Sequence, residues 1–229
     1  MSRRDVLRWT GLGVLWAIRL GVLVVLPFFL LIRSSLYLHI LQGWSVWLSL
    51  ALGAALMTTL LTGYAAWITQ RFTGSRRLSR LALGSLTAVV ICYSSFALLY
   101  LSQTNAKSEE IRSFYSSVHP ILRVAVGTLI LVDGDLVLTD TKRSRGDYVG
   151  MGLPPRQRSL HFPQPDGYVH AVDLRTARRG EWRNGLVRAY FAVMGFPTLR
   201  HVGTHDHLHV SLQSETAAAR WASTSRQRP

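Results

Sequence analysis

The chain reads as a small α+β domain, an antiparallel sheet with flanking helices, set behind three transmembrane α-helices. Three observations carry this reading. Three apolar stretches in the first hundred residues are each long enough to cross a bilayer, which takes roughly 20 residues. The charge is split: residues 1–102 carry nine basic residues and one acid, Asp5, and the remainder holds seventeen basic and eleven acidic ones. Short β-branched and alternating runs with turn signals between them appear only after residue 130.

The first span runs from about Trp9 to Ile32, the second from Trp44 to Thr69 and the third from Leu81 to Leu101. The first is too long for a cleaved signal peptide, and no small-residue cleavage site follows it. Arg19 interrupts it and is expected to snorkel or to face another helix. Trp44, Trp47 and Trp67 fit interfacial anchors, and Cys92 fits a small packing residue. Arg3, Arg4 and Arg8 precede the first span, Arg71, Arg76, Arg77 and Arg80 lie between the second and third, and the intervening loop holds only Arg33. Basic loops stay in the cytoplasm, so the N-terminus is expected inside and the C-terminal domain outside. In a cell with two membranes that domain is periplasmic, on the outer side of the inner membrane.

The expected organisation is thus an anchor over 1–102, a water-soluble domain over 103–214 and a polar basic tail over 215–229. The apolar fraction of 48% excludes a disordered chain, and the single cysteine excludes a disulfide framework. Topology accounts for the anchor's share of the net charge of +14, the excess of six basic residues over 103–229 would suit an anionic wall or lipid surface, and no nucleic-acid-binding signature accompanies them.

Within the soluble part, Ser108 caps a helix that begins with Glu109 and Glu110 and is broken near Pro120, with a second helical stretch reaching about Leu131. Leu136–Thr139 reads as a strand after the Asp133-Gly134 turn. Residues 144–167 form a long loop of the kind that is usually functional. Tyr168–Leu174 is a strand. Trp182–Met194 is a helix with Leu186, Ala189, Tyr190 and Val193 on one face, Trp182 and Tyr190 in the core, and Gly195 as C-cap. Thr198–His201 is a short extended segment, and Asp206–Leu212 is the last strand. Arg175, Arg178, Arg179 and Arg183 read as a solvated or headgroup-facing cluster.

The chemistry concentrates in two strands. Strand alternation puts Val169, Ala171 and Asp173 on one face and His170 on the other. An Asp closing an apolar face needs a positive partner, either a metal ion or an Arg. His205, His207 and His209 crowd the last strand, and His207 and His209 point the same way. Two imidazoles from one strand and a carboxylate from another make a plausible zinc environment.

The order Ser159-Leu160-His161, Gly167, Ala171-Val172-Asp173-Leu174 and Asp206-His207-Leu208-His209-Val210 resembles the zinc peptidases of the lysostaphin, D-Ala-D-Ala carboxypeptidase and hedgehog superfamily. The segment from His205 to Leu212 is most similar to the penicillin-insensitive murein endopeptidases. The strand Leu136–Arg143 and the helix Val118–Arg123 resemble the family's strand ending in Arg and the helix beneath it. The resemblance covers about residues 108–212.

It implies a zinc-peptidase-like fold, with Zn2+ held by His161, Asp173 and His209. Asp206 would then be the general base for the attacking water, His207 would stabilise the oxyanion or orient the water, and Arg143 would contact a substrate carboxylate or carbonyl. The family's first His stands seven positions before its Asp. Here that position is Asp166, and His161 lies twelve before. On zinc's preference for imidazole the first ligand is read as His161, with Asp166 as the alternative and a degenerate site as the third outcome.

The functional expectation is a membrane-anchored zinc metallopeptidase, a hydrolase of peptidoglycan stem or cross-link peptides. A non-catalytic module that binds wall peptides or scaffolds wall enzymes is the alternative, and a metal-handling protein built on the His cluster is a third reading. Expected partners are peptidoglycan peptides and the lipid bilayer, with no nucleic acid. The anchor leaves room for a membrane-protein partner.

Overall fold

A computed structural model describes residues 3–74, 76–150, 159–203 and 206–212. His205, the middle of the 144–167 loop and the tail from 213 onward lie outside the described residues. The chain divides into two compact units, Met1–Ile91 and Cys92–Pro229, and the division falls inside a helix. The architecture is α+β.

Among the described residues, three helices are long and apolar enough to cross a membrane, with hydropathic cores at Gly13–Ile40, Val46–Phe72 and Arg80–Leu99. The helices themselves are α1 (Arg3–Ile40), α2 (Val46–Phe72) and α3 (Arg76–Leu99). In the first unit, α1 and α2 pair through small residues. A Cβ added to Gly53 would stand 2.6 Å from the Leu31 carbonyl oxygen, so only glycine permits this approach. Ser35 Oγ seals the contact by donating to the Ser49 carbonyl at 3.0 Å. Hydroxyls that would otherwise face lipid bond back one turn, as Thr58 does to Ala54. Arg19 places its guanidinium 5.4 Å from the centre of the Trp16 ring, which gives the charge a π-face partner. Trp44, Trp47 and Trp67 are exposed, as interfacial anchors would be.

The second unit starts from the last turns of α3. Ser108 caps α4 (Glu109–Ser113) by accepting from the Ile111 amide. The helix stops at Ser113 and passes through a 3-10 turn over Phe114–Ser117 before α5 (Pro120–Val132). Proline suits the first position of α5, where its missing N–H costs nothing, and the His119 ring takes the N-cap by accepting from the Ile121 amide. A short helix α6 (Arg145–Gly150) opens the segment read as a loop.

The sheet has four antiparallel strands, β1 (Leu138–Asp140), β2 (Ala171–Arg175), β3 (Thr198–His201) and β4 (His207–Ser211), in the order β1-β2-β4-β3. Register places Asp173 opposite His209, Arg175 opposite His207 and His201 opposite His207. Paired residues share a face. One face therefore carries Val172, Leu174, Leu208 and Val210, which are buried. The other carries Asp173, His207, His209, Leu199 and His201.

The helix α7 (Glu181–Met194) ends on Gly195 at φ 95°, a left-handed cap that favours glycine. Its inward face differs from the expected one. Asn184, Val187, Phe191 and Met194 are buried, whereas Trp182, Leu186 and Val193 are 71%, 60% and 59% exposed. The helix carries two apolar stripes, and Phe191, stacked edge-on against Phe196 at 6.0 Å, decides which of them goes inside. The expected arginine cluster is also partly internal: Arg179 and Arg183 both pair with Asp133.

Asn105 ties the start of this unit to β1. Its amide nitrogen donates to the Gly134 and Leu136 carbonyls, both at 2.8 Å, from a position 4% exposed. Asn105→Ala leaves these carbonyls without their donor, and a loss of about 2–3 kcal/mol is expected. Thermal unfolding of the detergent-solubilised chain measures it, and an unchanged midpoint refutes the assignment.

Candidate metal centre

Two neighbouring strands and one loop build the site. β2 contributes Asp173 and β4 contributes His209 directly opposite it. The turn following the Leu160 region contributes His161, which is 3% exposed. The His161 backbone is tied to β1's continuation, where the Arg143 amide donates to the His161 carbonyl at 3.0 Å.

The ligand atoms of His161, Asp173 and His209 converge on one point, all within 4.8 Å of one another. His161 Nε2 lies 3.3 Å from Asp173 Oδ1 and 3.3 Å from His209 Nδ1, and His209 Nδ1 lies 2.8 Å from Asp173 Oδ1. Donor atoms about 2.0–2.1 Å from a tetrahedral zinc stand about 3.3 Å apart. Two of the three separations match that edge, and the third is a hydrogen-bond length that a bound cation would open slightly. The residues fit a metal of the zinc type, and two imidazoles with one carboxylate leave a fourth position for water or substrate.

The surrounding groups aim the ligands. His161 Nδ1 donates to the Thr141 carbonyl at 2.6 Å, which fixes the tautomer and leaves the Nε2 lone pair facing the cluster. Arg143 bridges two carboxylates, donating from Nε to Asp140 at 2.6 Å and from a terminal nitrogen to Asp173 Oδ2 at 3.0 Å. His209 Nε2 is buried with no hydrogen-bond partner.

The electrostatics show what the cluster requires. Burial would raise the Asp173 carboxyl, but the adjacent His161 and His209 hold it far below the usual carboxylate range. Burial disfavours protonated His161, yet the Asp173 charge outweighs it and raises that imidazole. A buried carboxylate among imidazoles demands positive charge, which either a shared proton or a divalent cation supplies.

The structure brings together His161, Asp173 and His209, with His207 beside them. His207 Nε2 is 3.7 Å from Asp173 Oδ2, and its ring stacks on His201 with centroids 4.7 Å apart. Asp166 lies elsewhere: its carboxylate accepts from His170 Nε2 at 2.8 Å and stands 3.8 Å from His119 Nε2. Of the two candidates for the first ligand, His161 is the one at the cluster.

Asp206 is not brought to it. Strand parity turns Asp206 to the opposite face from His207 and His209. There Arg200 grips both its oxygens, at 2.7 and 2.8 Å, and Thr176 donates to it at 2.7 Å. These partners lower its carboxyl, which is opposite to the tuning a general base needs near neutrality. The expected substrate contact of Arg143 is also changed, because its guanidinium spans Asp140 and Asp173.

His201, Asp140 and the Thr141 carbonyl were not singled out from the sequence. His201 had a signal, being an exposed His at even spacing on a short strand. The other two act through backbone geometry and an ion pair, which leave no pattern. Next to Asp140 and Arg143 opens a cleft of about 360 Å³, also lined by Lys107, Glu110, Phe114 and Lys142.

No family model matches the chain, and neither a curated protein nor a solved structure matches it.

Proposed function

We propose that the chain is a membrane-anchored zinc peptidase whose outward-facing domain hydrolyses peptide bonds in peptidoglycan peptides. The observation that carries this reading is the convergence of His161 Nε2, Asp173 Oδ1 and His209 Nδ1 with His207 at their side. Zinc held there supplies Lewis-acid polarisation of a carbonyl and lowers the pKa of water to about 7. With such a metal bound, His207, beside Asp173, would take a proton from water on a ring nitrogen and return it to the departing amine. Arg143 holds Asp173 in its ligating orientation, and Arg200 with Thr176 holds Asp206 so that β4 starts in register. The cleft beside Asp140 offers a bed for an extended peptide, with Lys107 and Lys142 suited to its carboxylates. The placement of arginines around the spans supports an N-terminus inside and the domain in the periplasm of the inner membrane.

The engagement of both Asp206 and Arg143 in ion pairs favours a second reading, a zinc-containing module that binds wall peptides without cleaving them. Full-length protein in nanodiscs separates the two. The peptidase reading expects about one zinc per chain and chelator-sensitive cleavage of purified muropeptides. His207→Ala then lowers kcat by about 10²–10⁴-fold with zinc content unchanged, whereas Asp206→Asn retains most of kcat and loses thermal stability. Zinc without turnover favours the binding module, and absence of zinc overturns both.

A further inference from the structure

The cleft beside Arg143 carries charge that its own walls do not neutralise. One wall is a face of α4, where Glu110, Ile111 and the capping Phe114 stand at helical spacing, with Lys107 just before the helix. The other wall is the end of β1 and the turn after it, with Lys142 and Arg143. Backbone contacts fix the two walls against each other: the Lys107 amide donates to the Leu138 carbonyl at 2.8 Å, and Ala106 bridges to Leu138. Lys142 Nζ lies 5.4 Å from the centre of the Phe114 ring, so this lysine reaches across to the α4 wall.

The charges in the cleft do not cancel. Arg143 is engaged by Asp140 and Asp173. Lys107, Lys142 and Glu110 are exposed, and among the described residues none of the three forms an ion pair. Two cations therefore stand against one anion around about 360 Å³, over the apolar surface of Ile111 and Phe114. A ligand that displaces water from this volume strengthens its own interaction with the two ammonium groups. The complementary group is a carboxylate on a short aliphatic stem. A polyanion is repelled by Glu110 and Asp140.

Position ties the cleft to the metal cluster. Arg143 lines the cleft and donates at 3.0 Å to Asp173 Oδ2, while Asp173 Oδ1 faces His161 and His209. One guanidinium and one carboxylate separate the two, a span that two or three residues of extended peptide cover at roughly 3.3–3.6 Å each.

We propose that this cleft is the specificity subsite of the candidate centre, taking a carboxylate-bearing residue two or three positions from the bond at the metal. Lys107 and Lys142 receive the carboxylate, Ile111 and Phe114 pack against its aliphatic stem, and Glu110 limits the negative charge accepted. The inference rests on the reading of the chain as one that binds wall peptides, and it holds for the cleaving and the non-cleaving form of that reading alike.

Peptide binding tests it. Full-length His207→Ala protein, which does not consume the peptide, is loaded with zinc in phosphatidylcholine nanodiscs. It is titrated by calorimetry with a stem peptide released from purified peptidoglycan, and with the same peptide after its carboxylates are converted to primary amides. The free acid is expected to bind about tenfold more tightly at low salt, as charge-assisted hydrogen bonds require. Adding Lys107→Gln and Lys142→Gln together removes most of that preference, Lys142→Arg keeps it, and Glu110→Gln tightens binding of the acid a few-fold. These side chains are exposed, and circular dichroism and zinc content verify that fold and metal survive each change. Equal affinity for acid and amide overturns the subsite and leaves the peptide reading standing, and so does a preference that persists in the double Gln variant. Inorganic phosphate that displaces the acid peptide more strongly than acetate does also overturns it, because the cleft then selects phosphate. Binding of neither peptide form overturns the subsite and the peptide reading together.

Discussion

On the proposed reading, Asp173→Asn is expected to abolish stoichiometric zinc binding while leaving the packing of the site in place. The side chain keeps its size, so β2 and β4 hold their register. The anionic ligand is lost, however, and the two imidazoles keep only a neutral amide between them. Affinity is expected to fall by more than the roughly 10–100-fold that follows loss of a supporting hydrogen bond, because this change removes a ligand itself. Metal analysis reads the loss directly. Thermal unfolding gives an independent reading: zinc at a hundred times its Kd stabilises the native chain by about 2.7 kcal/mol through mass action, and the Asn variant gains nothing. Asp173→Ala goes further, since Arg143 loses one of its two carboxylates at a site 3% exposed, and a cost of about 3–5 kcal/mol is expected. A zinc-induced stabilisation that is the same in native and Asn chains sinks the metal centre.

Gly127→Val is expected to be the most damaging single change outside the site. A Cβ at this position would lie 2.9 Å from both the Ala97 Cα and its Cβ, so the clash is partly with backbone and cannot be relieved by a rotamer. In the middle of an α-helix glycine is worth about 1 kcal/mol less than alanine. Its presence here marks the close crossing of α5 and α3. Valine pushes the helices apart and takes with it the Tyr115 hydroxyl's bond, shared between the Ala97 and Arg123 carbonyls, and the Arg123 bond to the Leu98 carbonyl. Overpacking costs about 1–3 kcal/mol on its own, and the lost buried bonds add to it. The measurable outcome is a large drop in the thermal midpoint and in the yield of folded, detergent-extracted protein. A near-native midpoint for Gly127→Val shows that the two helices do not cross at this point.

Much of the architecture is legible in the residues. The spans follow from length and hydropathy alone, because a bilayer admits only segments that satisfy their own backbone. The Ser108 cap, the Gly195 cap and the approximate strands follow from local chemistry, with Thr198–His201 matched at both ends and the other strand ends displaced by one to three residues. Pairing sets those ends: β2 begins at Ala171 and not at Tyr168 because Val169 is engaged in bridges to Val118 and Pro163. The convergence of Asp173, His207 and His209 follows from alternation once two strands are placed side by side. His161 follows only from a resemblance, and no local pattern distinguishes it from Asp166.

What the residues alone determine about this chain is a set of local preferences: membrane-length helices at the N-terminal end, a short antiparallel sheet beyond them, and imidazoles and a carboxylate at positions of matching parity. The tertiary structure alone decided three further things. It chose His161 over Asp166, because the Arg143 amide on the His161 carbonyl and the His161 ring on the Thr141 carbonyl hold one at the cluster and the His170 pair holds the other away. It turned Asp206 toward Arg200 and away from His207, because β3 and β4 pair in a register that puts those two groups on the same face. It buried the Phe191 stripe of α7 and exposed the Trp182 stripe, because a helix apolar on two sides carries no internal record of which side meets the core. Each of these choices depends on partners distant in the chain, and periodicity, propensity and capping act only over a few residues.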